Sequence, residues 1–422
     1  MFFLYSLLYG VAAVILLPFE YARRPAPVRK RWLKEKFGCV DLPTGTEDSP
    51  LLWIHAVSVG ETLSAVPFIK EIKGRYPSIR VVLSTITDTG QAVARERLAG
   101  VADAVYLPFD LSFCIKPLFR KIRPSAFIVI ETELWPNIFR VSKKMGIPLL
   151  VMNGRLSEKS FRGYMRIRFF MKAVLECVDL FCMQEKAYAE RITALGADEG
   201  KVIVTGSFKF DTGPPGKLPE WAWVLKGPVI LAGSTHPGEE ELILGVYEDL
   251  RQDFPGLNLI IAPRRPDRFQ EVYALMKARG FSCKKRSEIS GVSPAESGLS
   301  PGTIVLLDTV GELAAAYGIC DIAIIGGTFI RHGGQNPLEP AFWQKPIICG
   351  PHMENFSFIE EFYRKGAAEK TEREGLRDLL KELLGNGEKR KTMGEAAKAL
   401  YREKAGAVNR AIDALGKIVL SP

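Results

Sequence analysis

Three acids and one lysine stand where open α/β sheets carry their chemistry. Glu61 ends the segment Leu51 to Glu61, in which an apolar run, Leu-Leu-Trp-Ile-His, passes into a small-residue turn, Ala-Val-Ser-Val-Gly, and then a carboxylate. Ligands of such sheets bind at the carboxyl ends of the strands, so a lone acid delivered there is suited to take a proton. Glu131 and Glu133, in Ile130-Glu131-Thr132-Glu133-Leu134-Trp135-Pro136-Asn137, follow a second buried run. One of them holds a substrate hydroxyl or braces a cation; the bland alternative is a helix cap beside a packed Trp135. Lys209, in Gly206-Ser207-Phe208-Lys209-Phe210-Asp211, ends a third run and is expected to point into an interdomain cleft, unless it is an ordinary surface lysine.

The second half of the chain is rich in cations and helix-opening loops. Pro263-Arg264-Arg265-Pro266-Asp267-Arg268 follows a strand and opens a helix, which puts two or three guanidiniums near a helix N-terminus, a good place for phosphate. Gly311-Glu312-Leu313 follows a strand ending near Val310, and Gly326-Gly327 follows another. In Gly333-Gly334-Gln335-Asn336-Pro337-Leu338-Glu339-Pro340 the glycines permit close backbone approach and Asn336 can cap a helix with Pro337 in its first turn. Glu339 is placed to accept from ribose hydroxyls. The four histidines, His55, His236, His332 and His352, are too dispersed to form a metal set, and His55 reads as a core group.

Other chemistries lack their signals. There is no Gly-x-Gly-x-x-Gly after a strand, no P-loop and no His-Glu-x-x-His, and no Asp-x-Asp clamp for a metal-bound nucleotide. Seven cysteines without a Cys-x-x-Cys pair indicate neither a disulfide framework nor a zinc knuckle. No metal site is assigned.

The elements that position these residues are parallel sheets. With 422 residues, 47% hydrophobic and 25% charged, two cores are expected. Short β-rich runs at Leu51 to Val57, Ile79 to Thr85, Ala104 to Leu107, Ala126 to Ile130, Pro148 to Met152, Leu180 to Met183 and Val202 to Thr205 alternate with amphipathic helices. A breaker-rich linker between Phe210 and Pro228 interrupts the alternation. It resumes at Val229 to Ala232, Leu257 to Ala262, Ile304 to Leu307, Ile322 to Ile325 and Pro346 to Cys349, and Ser287 to Gly302 reads as a loop. Two similar domains facing each other are expected, residues 23–212 and 213–422, the second including the C-terminal helices.

Residues 1–22 read as a membrane anchor. Met1 to Phe19 carries no charge and as a helix would extend about 28 Å, close to a hydrocarbon core of about 30 Å. Arg23, Arg24, Arg29, Lys30, Arg31, Lys34 and Lys36 follow, so the rest of the chain is expected on the cytoplasmic side. The formal net charge is +9, which suits nucleic acid, an anionic lipid surface or an acidic small molecule. Arg155, Lys159, Arg162 and Arg166 fall at helical spacing with Phe161, Met165 and Phe169 among them. Such a helix suits a membrane surface better than a nucleic-acid groove, though a plain solvated face has the same composition.

Taken in order, the anchor with its basic flank, His-Ala-Val-Ser-Val-Gly-Glu61, Glu131-Thr-Glu-Leu-Trp-Pro-Asn, Lys209-Phe-Asp, Pro263-Arg264, Gly311-Glu312-Leu313 and Asn336-Pro337-Leu338-Glu339 closely resemble the Kdo (3-deoxy-D-manno-octulosonic acid) transferases over nearly the whole chain. The resemblance implies an inverting, metal-independent glycosyltransferase of GT-B fold, two Rossmann-like domains facing a central cleft. It would move Kdo from CMP-Kdo to the phosphorylated lipid A precursor (lipid IVA) at the inner membrane, without a cofactor and without nucleic acid. By the same resemblance Glu61 is the general base, Glu131 and Lys209 stabilise the transition state, and Pro263, Arg264, Gly311 to Leu313 and Asn336 to Glu339 bind CMP. Ser207 stands where the pattern leads one to expect Asn, and Arg265 and Gln335 where His is common. The rivals are a GT-B enzyme using a UDP-sugar on another lipid, a two-domain epimerase and a non-catalytic membrane scaffold.

Overall fold

Apolar, β-branched runs of four to seven residues with no polar alternation can be satisfied only as strands covered on both faces. The computed structural model, which describes residues 1–42, 49–211, 217–221, 225–289, 299 and 302–419, has fourteen of them or shorter, in two sheets. The first sheet holds β1 Leu51–His55, β2 Arg80–Thr85, β3 Asp103–Tyr106, β4 Ala126–Ile130, β5 Leu149–Gly154, β6 Leu180–Met183 and β7 Val202–Val204, all parallel, in the order β3-β2-β1-β4-β5-β6-β7. The second holds β8 Val229–Thr235, β9 Asn258–Pro263, β10 Cys283–Lys285, β11 Ile304–Leu306, β12 Ile322–Ile325, β13 Ile347–Cys349 and β14 Ala368–Lys370, in the order β10-β11-β9-β8-β12-β13-β14. These are two Rossmann-like domains of the kind found in GT-B proteins. Parts of the expected linker and of the Ser287 to Gly302 loop (residues 212–216, 222–224, 290–298 and 300–301) lie outside the described residues.

Each sheet starts in its middle, runs outward, and returns to build the other half. The order therefore reverses between β1 and β4 in one sheet and between β8 and β12 in the other. Beyond the carboxyl ends of strands at such a reversal, the crossing helices diverge and leave a crevice. β1 is buried at all five positions, and its Trp53 lies against Phe119 and Phe127. The edge strands β10 and β14 have no counterpart among the expected strands; three residues each, with Lys284, Lys285 and Lys370, they carry no hydrophobic signal, as befits an edge.

One domain assignment needs correcting. The chain divides into Met1–Thr212 with Lys404–Pro422, and Gly213–Glu403. The last helix, Ala407–Val419, thus belongs to the first unit and not, as expected, to the second. Its Ala407, Val408, Ala411, Ile412 and Leu415 are buried in the core formed by Phe68, Ile69 and Phe208 on one face of the first sheet. Asp211 fixes its start by accepting from Gly406 N at 2.5 Å and Val408 N at 2.7 Å.

The N-terminal helix Phe2–Arg23 is long and apolar enough to cross a membrane, by length and composition. It lies along the first unit: Tyr5 Oη donates to Asp110 at 2.8 Å, Ser6 Oγ lies 3.1 Å from Asn137 Oδ1, and Phe2 meets the Phe170 ring edge-on at 5.4 Å. Arg24, just past its end, is ion-paired with Asp88 at 2.6 Å. Its outer face is bare, with Phe3 80%, Val14 73% and Phe19 71% exposed.

Candidate active site

Glu61 is held where β1 hands over to the helix Val59–Arg75. Ser58 caps that helix, and the cap is reciprocal: Glu61 N donates to Ser58 Oγ, while the Glu61 carboxylate accepts from Val57 N at 2.7 Å and Ser58 Oγ at 3.0 Å. The acid thus bonds the capping hydroxyl and the amide one residue before the cap. This also aims the carboxylate back across the carboxyl end of β1. Burial raises the acid, and the nearby charges of Glu131 and Glu133 add to that; the two hydrogen bonds pull the other way, and the net position is about 7. A helix cap alone has no use for a carboxylate tuned to neutrality.

Glu131 follows β4, the strand beside β1 across the reversal. Its φ of 62° is costly for a residue with a side chain, and its amide, donating to Met152 O at 2.9 Å, pins it to β5. Burial raises its carboxyl, opposed by the charges of Lys209 and Arg155. Lys209 stands in the short turn Phe208–Asp211 between two buried phenylalanines; Phe208 stacks on Phe68 at 5.3 Å and its amide donates to Asn153 Oδ1 at 3.0 Å. Burial lowers the lysine, the Glu131 charge raises it, and Arg155 lowers it again. Glu61, Glu131, Glu133, Lys209 and Arg155 thus form one electrostatic cluster at the reversal of the first sheet.

Arg155 was expected on a basic helix with Lys159, Arg162 and Arg166. Ser157 caps that helix, which runs only Glu158–Met165, so Arg155 precedes it and Arg166 follows it. Arg155 N donates to Thr132 Oγ1 at 2.9 Å, which ties it to the loop carrying Glu131. Arg162 is ion-paired with Glu158 at 2.9 Å on the surface, and Phe169 belongs to the next helix, Arg168–Leu175. The even spacing of basic residues is therefore not one helical face. Trp135, the alternative role for its segment, is partly buried 6.2 Å from the His55 ring. Asp110 caps the helix Pro136–Lys144 through the amides of Asn137 and Ile138. His55 is a core group as expected: fully buried, bonded through Nδ1 to Ser84, and pushed down to about 3 chiefly by burial, it stays neutral.

In the second unit, Pro263 ends β9 and Arg264 N donates to Thr235 O at 3.0 Å. The Arg264 side chain is exposed and makes no ion pair among the described residues. Arg265 is paired with Asp267, and Arg268, expected to add a third guanidinium, is instead buried against Glu240 at 2.7 Å and Glu271 at 2.9 Å. Asn336 Oδ1 caps Leu338 N at 3.1 Å and its Nδ2 reaches Glu339 at 3.3 Å, so Asn336 to Glu339 open the helix Leu338–Phe342. Burial raises Glu339, opposed by Asn336 and by the Arg264 charge. β11 ends at Leu306, earlier than expected, and the loop to Leu313 is held by Glu312, which accepts from Thr309 Oγ1 at 2.6 Å and pairs with Arg286 at 2.9 Å. Leu313 and Tyr317 cover Gly233 of β8, where a methyl group would overlap the Tyr317 hydroxyl.

The amides after β12 were a third expected phosphate cradle. The carboxylate of Glu239 fills it, accepting from Gly327 N at 2.7 Å and from Thr328 N, Phe329 N and His236 N at 3.0 Å. That cradle binds an internal anion and is not open to a ligand. Two histidines set aside earlier do belong here: the rings of His236 and His332 lie 4.0 Å apart, and Gln335 Nε2 is 3.2 Å from His236 Nε2. Burial, then the charges of His332, Arg264, Arg268 and Arg265, push His236 down to about 4, so it is neutral at pH 7. One signal could have found His236: Ser-Thr-His-Pro-Gly-Glu, spanning the end of β8, repeats the strand, turn and acid order found at the end of β1. Ser234 there has φ 57°, a second strained residue at a strand end.

This arrangement has relatives. Residues 31–212 match the family described as 3-deoxy-D-manno-octulosonic-acid transferase (kdotransferase). The chain is 32% identical to the 3-deoxy-D-manno-octulosonic acid transferase of Haemophilus influenzae, over 98% of this chain and 97% of that one. It is also 32% identical to the transferase of that name from Bordetella pertussis, over 96% of each. Solved structures of MurG from Acinetobacter baumannii (TM-score 0.55, 12% identity, 87% of this chain and 99% of that one) and of the UDP-GlcNAc 2-epimerase of Neisseria meningitidis (TM-score 0.58, 12% identity, 87% and 100%) share the fold. With an acid near neutrality at one sheet reversal, an arginine and a capped helix at the other, and this similarity along its whole length, the chain belongs to the 3-deoxy-D-manno-octulosonic acid transferase family of glycosyltransferases.

Proposed function

We propose that the chain transfers Kdo from CMP-Kdo to a phosphorylated lipid A precursor, lipid IVA, in lipopolysaccharide assembly, with inversion at the anomeric carbon and without a metal ion or cofactor. The observation that carries this reading is Glu61, a carboxylate near neutrality at the carboxyl end of β1. The acceptor's primary hydroxyl attacks the anomeric carbon and hands its proton to Glu61. As that bond forms, the bond from carbon to the phosphate oxygen breaks, and CMP departs with the electron pair. Lys209, with Glu131 holding it in place, offsets charge developing at the reacting centre; Arg264, with the amides opening the helices at Leu313 and Leu338, receives the CMP phosphate. The first unit then serves the acceptor and the second the donor. The bare apolar face of the N-terminal helix meets the cytoplasmic leaflet of the inner membrane, with Lys159, Arg162 and Arg166 toward anionic headgroups.

The test is incubation of the purified chain with CMP-Kdo and lipid IVA in EDTA, with the lipid product read by mass spectrometry. Kdo mass increments support donor, acceptor and metal independence together; unmodified lipid with CMP-binding protein sinks the reading in favour of another sugar or lipid.

Two further outcomes are expected. A base must be deprotonated to act, so log kcat/KM should rise with unit slope as pH increases to about 7 and then level; a profile flat through the acid range would exclude Glu61. Replacing Arg264 by Ala removes a charge-assisted bond to phosphate of about 1.5–3 kcal/mol, so the CMP dissociation constant measured by calorimetry should rise roughly tenfold or more. An unchanged constant would displace Arg264 from the site.

A further inference from the structure

Lys209 and Glu131 follow strands that are not neighbours. Glu131 comes after β4 and Lys209 after β7, three places along the sheet, which is about 14 Å at the usual strand spacing. A lysine stem is shorter than that, so the chain leaving β7 has to double back over the carboxyl ends of β6 and β5 before the two charges can meet. Two bonds mark its path. Gly206 N donates to Met183 O at 3.4 Å, at the end of β6, and Phe208 N donates to Asn153 Oδ1 at 3.0 Å, near the end of β5. Lys209 is the next residue.

The second bond depends on an irregular strand end. Along β5, Leu150 and Met152 enter the core that holds Phe68 and Phe208, while Leu149 and Val151 enter the core on the other face. Regular alternation would send Asn153 to the side of Leu149 and Val151. Its φ is instead 56°, and between Val151, which faces Phe181, and Gly154, which faces Met183, the pairing runs three steps along β5 against two along β6. An extra residue of this kind bends a strand and re-aims a side chain.

Asn153 carries two costs there. Its left-handed backbone is one, and the other is Nδ2, which is buried with no partner among the described residues while Oδ1 takes the Phe208 amide. That donor settles which end of the side-chain amide is oxygen. A glycine would avoid both costs, and what it would lack is the oxygen. The backbone on either side is already committed: Met152 O accepts from Glu131 N at 2.9 Å, and Asn153 O from Gln184 Nε2 at 2.9 Å. Two adjacent residues of β5 thus hold the two charged partners, Met152 the loop of Glu131 and Asn153 the turn of Lys209.

We infer that Asn153 is a positioning residue for the transfer reaction: its side chain draws the turn Phe208–Asp211 over the end of β6 and sets the Lys209 ammonium against Glu131. The inference rests on the role given to Lys209 above. Without Asn153 the turn keeps its stacking on Phe68 and the bonds from Asp211 to the last helix, so a variant there should fold.

Asn153→Gly keeps the left-handed backbone without strain and removes only the side chain. Acetylation of the full chain by acetic anhydride, read by peptide mass spectrometry, should modify Lys209 severalfold faster in this variant, while Lys36, buried elsewhere in the first unit, should label as in the parent. With CMP-Kdo and lipid IVA, kcat should fall about tenfold to a hundredfold, the cost of misplacing a group by about 1 Å, with the CMP dissociation constant unchanged. The acid limb of kcat/KM should move to lower pH, because Glu131 released from Lys209 takes up a proton more readily and then no longer raises Glu61. In a Lys209→Met background, Asn153→Gly should lower kcat by no more than about twofold, since its effect runs through the ammonium. Parent-like labelling of Lys209 in the folded variant, a rise at Lys36 in step with Lys209, or rate losses that multiply in the double variant would each overturn the inference. Asn153→Ser, whose hydroxyl is one bond shorter than the amide oxygen, takes the place of the glycine variant if that does not fold. The labelling requires no turnover, so the two readings separate. A parent chain that transfers no Kdo sinks the functional reading, whereas transfer with Lys209 labelling unmoved sinks only the role of Asn153.

Discussion

Glu61→Gln should leave a folded, CMP-binding protein whose kcat is lower by about a hundredfold to ten-thousandfold, the usual worth of a well-placed general base. Gln is more informative than Ala because it separates the two things Glu61 does. A glutamine carbonyl can still accept from Val57 N while its amide donates to Ser58 Oγ, so the cap of the helix Val59–Arg75 survives and the capacity to take a proton is gone. Stability points the same way. Glu61 titrates near 4.5 unfolded and near 7 folded, so between those values the folded state holds the extra proton and stability falls as pH rises through the window. The Gln variant lacks that loss, and above pH 7 its Tm should be no lower than that of the parent. A variant that folds, binds CMP and transfers sugar at the parent rate would remove Glu61 from the chemistry and leave it a cap.

What could be read from the amino acids follows a physical division. β1 and Glu61 were legible because both signals are local: five consecutive buried residues, then a Ser-x-x-Glu cap. The seven strands of the first sheet were legible for the same reason. Arg155 was misplaced because a periodicity of basic residues resembles a helical face, and only the cap at Ser157 shows that the helix starts later. The glycines after β12 looked like a phosphate cradle, but the anion that fills it comes from Glu239, far away in sequence, and no local pattern reports such a partner. The last helix read only as one of the charged C-terminal helices; its place on the first sheet comes from the burial of Ala407, Val408, Ala411, Ile412 and Leu415 and from the two amides that donate to Asp211, far away in sequence. Backbone strain at Glu131 and Ser234 was invisible too, since neither residue type announces a positive φ. Both end or interrupt strands beside the sheet reversals, where strain persists only if the surroundings enforce it.

Lys209→Met should lower kcat by about a hundredfold to a thousandfold, the scale seen when one preorganised partner of developing charge is removed from a water-poor site. Met preserves most of the stem between Phe208 and Phe210, so folding should survive. Arg would be a poor control, because its planar fork cannot occupy the position of a compact ammonium. Loss of a merely structural lysine would cost stability without moving a pH profile, and loss of this one should move it. Lys209 holds the Glu131 carboxyl down; without it, burial prevails and Glu131 takes up a proton more readily, with Arg155 alone opposing. Neutralising Glu131 removes one of the charges that raise Glu61. The acid limb of kcat/KM in Lys209→Met should therefore move to lower pH than in the parent, even as the plateau falls. A lower plateau with the limb unmoved would break the electrostatic link from Lys209 through Glu131 to the base, and an unchanged plateau would remove Lys209 from transition-state stabilisation.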